Sequence, residues 1–132
     1  DEAVCDSLPF LAGRRTSDLV IDGGNLVSSG SAVVLTDKIY RENPGRKREY
    51  VRSSLNQLLD ASECVVIPKE PGDPIGHADG IVRFLDERTV VTNDYADTDP
   101  GYGRRVDQVL ARHGFEVVRV PYSVDPTVTA GI

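Results

Sequence analysis

The sequence predicts an α/β fold made of two copies of one strand–turn–strand–helix–strand plan. Three observations carry this. Short runs of β-branched residues alternate with two stretches of helical apolar spacing, as in chains that mix strands and helices in one layer order. The halves match in sequence. An offset of 57 residues carries Asp22 onto Asp79, Gly23 onto Gly80, Val33-Val34 onto Val90-Val91 and Asp37 onto Asp94, and an offset of 53 carries Ile67-Pro68 onto Val120-Pro121. With 132 residues, 39% of them hydrophobic and 27% charged, the chain has the size and composition of one folded domain. A repeat of this length with one mixed unit per copy suggests an array of units around a common axis.

Taken in order, residues 1–18 form a leader with turn residues and no sustained period, read as a short helix or loop. Leu19-Val20-Ile21 begins the first ββαβ unit, residues 19–74, as a strand. It runs into Asp22-Gly23-Gly24-Asn25, where glycines allow an irregularity, and on through Leu26-Val27. Ser28 to Ser31 is a hairpin turn and Ala32 to Thr36 the return strand. Asp37 to Tyr40 leaves the sheet, and Asn43-Pro44-Gly45 is a loop. From Lys47 to about Ala61 the apolar residues Val51, Leu55, Leu58 and Leu59 recur at steps of three and four, which predicts a helix. Cys64 to Ile67 is a buried strand stopped by Pro68, and Lys69 to Pro74 a polar loop. The second unit, residues 75–132, repeats the plan. Ile81 to Leu85 and Thr89 to Thr92 form the hairpin, and Gly103 to His113 the helix, with Pro100 near its start and Gly114 at its C-cap. Phe115 to Val120 is the closing strand, stopped by Pro121. Ala130-Gly131-Ile132 reads as the start of a further strand.

The formal net charge is −6. This argues against a general nucleic-acid or anionic-membrane binder, since both need basic surface, and it suits a cationic ligand. No apolar run approaches the roughly 20 residues of a membrane span. No basic region followed by an apolar core marks a signal peptide. The two cysteines, Cys5 and Cys64, have no CxxC spacing and no histidine at zinc-finger distance. A structural metal is therefore not expected, and two isolated thiols fit a cytoplasmic location. The chain begins at Asp1 and contains no Met, as expected of a piece of something longer.

Candidate chemistry centres on Gly76-His77-Ala78-Asp79-Gly80. On extended backbone a histidine and a carboxylate two residues apart point the same way, and the flanking glycines permit a tight turn and close approach. Asp22 stands at the matching place in the first unit, so in a radial array two carboxylates and His77 converge near the axis. The alternative is structural: a loop histidine, and aspartates that only make turns before strands. If the groups do converge, two carboxylates in one pocket repel each other unless a cation lies between them, and a planar guanidinium forks onto carboxylate oxygens. A histidine beside it moves protons near neutral pH. The missing part is a nucleophile. Cys64 opens a strand that reads as buried, where a thiol is a common apolar filler, and Cys5 lies in the irregular leader.

The stretches Leu19 to Asn25, Leu35 to Lys38, Glu42-Asn43-Pro44, Gly76 to Phe84 and Val91 to Tyr95 together resemble the agmatine deiminase and bacterial (Porphyromonas-type) peptidylarginine deiminase family, within the guanidine-modifying superfamily. The resemblance runs from about residue 19 to the last residue. It implies a partial α/β propeller (pentein) of about two ββαβ units from a pseudo-fivefold ring. It implies hydrolysis of agmatine or an arginine-like guanidinium to a ureido group and ammonia, through attack by a cysteine and a covalent thiouronium. By the resemblance, His77 is the general acid/base, and Asp79 and Asp22 hold the guanidinium, with Asn25 of the GGN motif at the substrate. Many family members have Glu where this chain has Asp22, one methylene longer. The family's upstream Asp segment has no match in residues 1–18. Its nucleophilic Cys lies in a glycine-rich segment near the C-terminus that this chain does not contain. No cofactor is implied.

Two hypotheses follow. The chain is part of a guanidine hydrolase that is inactive alone, or it is a non-catalytic binding or assembly module. In the second case, open sheet flanks favour a homo-oligomer.

Overall fold

The computed structural model describes residues 17–123. The expected leader up to residue 16, with Cys5, and the expected further strand at Ala130-Gly131-Ile132 lie outside the described residues.

Two three-stranded sheets share one topology. In the first, β1 (Val27–Ser28) pairs antiparallel with β2 (Ala32–Thr36), which pairs parallel with β3 (Glu63–Ile67). In the second, β4 (Val82–Phe84) pairs antiparallel with β5 (Thr89–Asp94), which pairs parallel with β6 (Glu116–Pro121). The parallel crossovers carry the helices. These are α1 (Lys38–Glu42) and α2 (Arg48–Leu59) in the first unit and α3 (Pro100–Arg112) in the second. The ββαβ plan read from the repeat is thus present twice.

All five residues of β2 are buried, because the first sheet is covered on both faces. Val33 and Leu35 pack with Ile39, Val51, Leu55 and Cys64, against α1 and α2 of the same unit. Ala32 and Val34, with Val65 and Ile67 of β3, pack against the second unit, chiefly Tyr102, Val106 and Leu110 of α3. Tyr102 is fully buried, and its hydroxyl donates to the Pro68 carbonyl at 2.9 Å, tying α3 to the end of β3. Asp99 caps α3 by accepting from the Tyr102 N–H at 2.8 Å, and Pro100 sits in its first turn. Gly114, at φ +72°, turns the chain out of α3 in a conformation that L side chains rarely adopt.

The structure departs from the expected elements in four places. Leu19-Val20-Ile21 is not a strand. The side chain of Asn43 accepts from Val20 N–H at 2.9 Å and donates to Val20 carbonyl at 2.9 Å, so a side chain takes the place of a ladder. The chain then makes a 3₁₀ turn, Gly23–Asn25, before the short β1. The segment leaving β2 is itself helical, as α1. Pro121 closes β6 instead of lying beyond it, which an edge strand tolerates at its end.

The fourth difference is one of register. A second 3₁₀ turn, Ala78–Gly80, precedes β4, and its N-cap is His77. The N-cap of the first turn is Asp22. Their backbones match, with φ −84° and ψ 133° at Asp22 and φ −84° and ψ 145° at His77. Asp22 is therefore equivalent in the fold to His77, 55 residues on, and Gly24 is equivalent to Asp79. The offset of 57 fits the return strands because β4 has one more residue than β1 and the loop after it one more than the first loop.

Candidate active site

The two 3₁₀ turns lie side by side at one end of the paired units. Each is held by a backbone bond from its C-cap, Leu26 N–H to Gly23 carbonyl at 3.1 Å and Ile81 N–H to Ala78 carbonyl at 2.9 Å. Neither run offers alternating apolar residues, and each carries Gly and Asp or Asn where a strand would need β-branched ones.

Those two N-cap side chains meet. His77 Nε2 lies 3.1 Å from Asp22 Oδ2. Lys38, the first residue of α1, also donates to Asp22 Oδ2 and reaches Glu42 Oε1 at 3.0 Å one turn on. The Lys38 ammonium bonded to Asp22, followed by the His77 contact, holds the Asp22 carboxyl at about 2, below its ordinary 3.8. The same bond raises the Lys38 ammonium above its usual value.

His77 also packs against Gly24, which leaves no room there for a side chain. A methyl group built there would stand 2.3 Å from His77 Nδ1 and 3.2 Å from Asp79 Oδ2. Gly24 has no side chain in the place where Asp79 has one in the other turn, so the imidazole and the Asp79 carboxylate both come close against its backbone. Asp79 Oδ2 also lies 3.8 Å from Arg83. His77, Asp22 and Asp79 are thus brought together, although the turn backbone and not an extended strand does it.

Asn25 is brought close in a different way. It is fully buried. Its Oδ1 accepts from Thr36 N–H at 2.9 Å and Ala78 N–H at 3.2 Å, and the Thr36 hydroxyl donates either to it at 2.9 Å or to the Gly76 carbonyl at 2.6 Å. It thus joins the first turn, β2 and the second turn from beneath, and its Nδ2 is buried with no partner.

Sequence reasoning missed Lys38 and Glu42 as site residues, although both stand in the stretches that carry the family resemblance. Their i,i+4 spacing is a signal only once α1 is known to be helical. It also missed Glu70. The hydroxyls of Tyr95 and Tyr122 donate to Glu70 at 2.9 and 2.8 Å, at the edge of a cleft of about 380 Å³ lined also by Asp73 and Gly80. Burial first, then the Glu70 carboxylate, pushes the Tyr122 hydroxyl up to about 12. Cys64 is buried with a free thiol, and burial pushes that thiol above its ordinary value. Among the described residues no three His, Cys, Asp or Glu side chains are grouped to hold a metal ion, and no helix is long and apolar enough to cross a membrane.

This topology is that of the deiminases with a pentein fold. Agmatine deiminase of Enterococcus faecalis matches with a TM-score of 0.77 and 19% identity, over 94% of this chain and 38% of that one. Agmatine deiminase of C. jejuni matches with a TM-score of 0.73 and 16% identity, over 95% of this chain and 41% of that one. A form of the C. jejuni enzyme with substrate bound matches with a TM-score of 0.71 and 14% identity, over 94% and 41%. The chain thus spans about two fifths of the length of these solved structures. No curated protein matches the chain. The family model described as Porphyromonas-type peptidyl-arginine deiminase matches residues 1–117, and the chain belongs to that family.

Proposed function

We propose that this chain supplies the proton-shuttle and cation-holding half of a guanidine hydrolase that converts agmatine or an arginine-like guanidinium to a ureido group and ammonia. The observation that carries the reading is the meeting of His77 with Asp22 at 3.1 Å, with His77 and Asp79 both close against Gly24. Asp22 and Asp79 receive the guanidinium N–H groups, and their two negative charges favour the cation over the neutral ureido product. A cysteine thiolate attacks the guanidinium carbon. His77 gives a proton to the departing nitrogen, which leaves as ammonia, and the thiouronium remains. His77 then takes one proton from water as its oxygen attacks the same carbon, the carbon–sulfur bond breaks to give the ureido group and the thiolate, and the second water proton leaves to solvent, where it protonates the released ammonia. Cys64 is not assigned this role, because its thiol is buried on the α2 side of the first sheet. Asn25 is assigned a positioning role, holding the two turns in contact.

The test uses the protein extended to the length of its solved relatives. It should release ammonia from agmatine or an arginine-like substrate, and His77→Ala should lower kcat by about 10²–10⁴-fold, the usual worth of a general acid/base. An unchanged rate in that variant overturns the role of His77.

One observation favours a second reading, an assembly module. Val65 and Ile67 of β3 are fully buried under α3, whereas Val118 and Val120 of β6 are 44% and 39% exposed. If this face pairs with another copy, the chain should sediment as an oligomer, and Val118→Lys should return it to a monomer.

A further inference from the structure

We propose that Lys38 is the built-in counter-cation of the Asp22–His77 pair. It occupies the Asp22 oxygen that His77 also faces, sets the charge the imidazole meets there, and leaves the other Asp22 oxygen for an incoming cation. Asp22 Oδ2 is shared by Lys38 and His77, while among the described residues no hydrogen bond is made to its Oδ1. Lys38 is not a surface lysine that happens to pass by. Its side chain is only 16% exposed, against 42% for Asp22. Its ammonium is anchored on Glu42, and its stem passes 3.7 Å from the Cβ position of Gly76, beside His77. The second oxygen of Glu42 is buried without a hydrogen-bond partner, so Lys38 is the cation that neutralises that carboxylate as well.

The charged groups around His77 are Asp22 and Lys38 in direct contact or one atom removed, Glu42 behind Lys38, Asp79 beside Gly24 with Arg83 on it, and Lys69 against Gly76. A lysine bonded to the oxygen that faces the imidazole opposes protonation of that imidazole in two ways. It adds a nearby positive charge, and it withdraws acceptor strength from Asp22. Without Lys38, the Asp22 oxygen is left to the imidazole alone. A histidine that must both give and take a proton works best near the operating pH, so Lys38 is a positioning residue with an electrostatic task. Its place in catalysis rests on the deiminase reading, whereas its effect on His77 does not.

The experiment is an NMR titration of the imidazole resonances of this chain, which has only two histidines. His77→Asn identifies the signal. In Lys38→Met the midpoint of His77 should rise by about one pH unit, with His113 unmoved, and Lys38→Arg should restore it. Should Lys38→Met fail to fold, Lys38→Met/Glu42→Gln removes both members of the pair and gives the same reading. An unmoved His77 midpoint in the folded variant, or a shift that Lys38→Arg does not reverse, overturns the proposal. If the extended protein releases no ammonia while the titration shifts as expected, only the deiminase reading fails. If ammonia is released and the titration does not shift, only the role of Lys38 fails.

Discussion

Asp22 and His77 stand 55 residues apart in the chain, occupy the same N-cap position in their two units, and touch at 3.1 Å. One unit supplies a carboxylate at that position and the other an imidazole. Duplication of a ββαβ plan thus yields an unlike pair, and that pair lies at the seam between the copies.

The pair has a pH signature. The Asp22 carboxyl is lowered from 3.8 to about 2, first by Lys38 and then by His77. A depressed acid stabilises the folded state while it is ionised, so its contribution is full above about pH 4 and is lost as the pH falls toward 2. Urea unfolding followed from about pH 6 to about pH 2.5 should lose stability more steeply in the wild-type chain than in Asp22→Asn. Parallel curves for the two proteins would show that the pair is not held in solution.

Gly24→Ala should displace His77. The added methyl would stand 2.3 Å from Nδ1, far inside contact distance, so the ring must move. A shift of this order misplaces the proton shuttle, and in the extended protein kcat should fall by about 10²-fold. The fold should persist, because the turn has a β-compatible N-cap and its backbone bond from Leu26 is unaffected. Equal activity of Gly24→Ala and wild type would rule out tight packing here.

Asn25→Ala should destabilise by about 2–3 kcal/mol, since it leaves the buried N–H groups of Thr36 and Ala78 without their acceptor. Denaturant midpoints measure this directly. A cost below about 0.5 kcal/mol would mean that Asn25 does not hold the two turns together.

Tyr102 joins the units, so its variants should separate two kinds of contact. Tyr102→Phe removes only the bond to the Pro68 carbonyl and should cost about 1 kcal/mol. Tyr102→Ala empties a fully buried site between β3 and α3 and should cost about 3–5 kcal/mol. Similar losses in both would place the energy in the hydrogen bond instead of the packing.

Cys64 should behave as core. In the native chain it should resist alkylation at neutral pH, where its raised thiol is un-ionised, and react once urea exposes it, as read by peptide mapping. In the extended protein, Cys64→Ala should keep its activity. Loss of all activity without loss of fold would reopen the question of the nucleophile.

The amino-acid order by itself determined the repeat, both long helices, the buried β2 and β3, and the neighbourhood of His77, Asp79 and Asp22. These follow from local signals: apolar spacing of three and four, β-branched runs, and glycine beside aspartate. The order did not determine which residue matches which across the repeat. Asp22 aligns with Asp79 by letter, but one extra residue in β4 and one in its loop shift the true partner to His77. Nor did it show Asn25 beneath the turns or Lys38 on Asp22, because both contacts join segments that only the packing of the two units and the helical turn of α1 bring together. Spacing along the chain sets which way a side chain can point. Which groups then share an oxygen is decided by the close packing of separate segments, and only the tertiary structure holds that information.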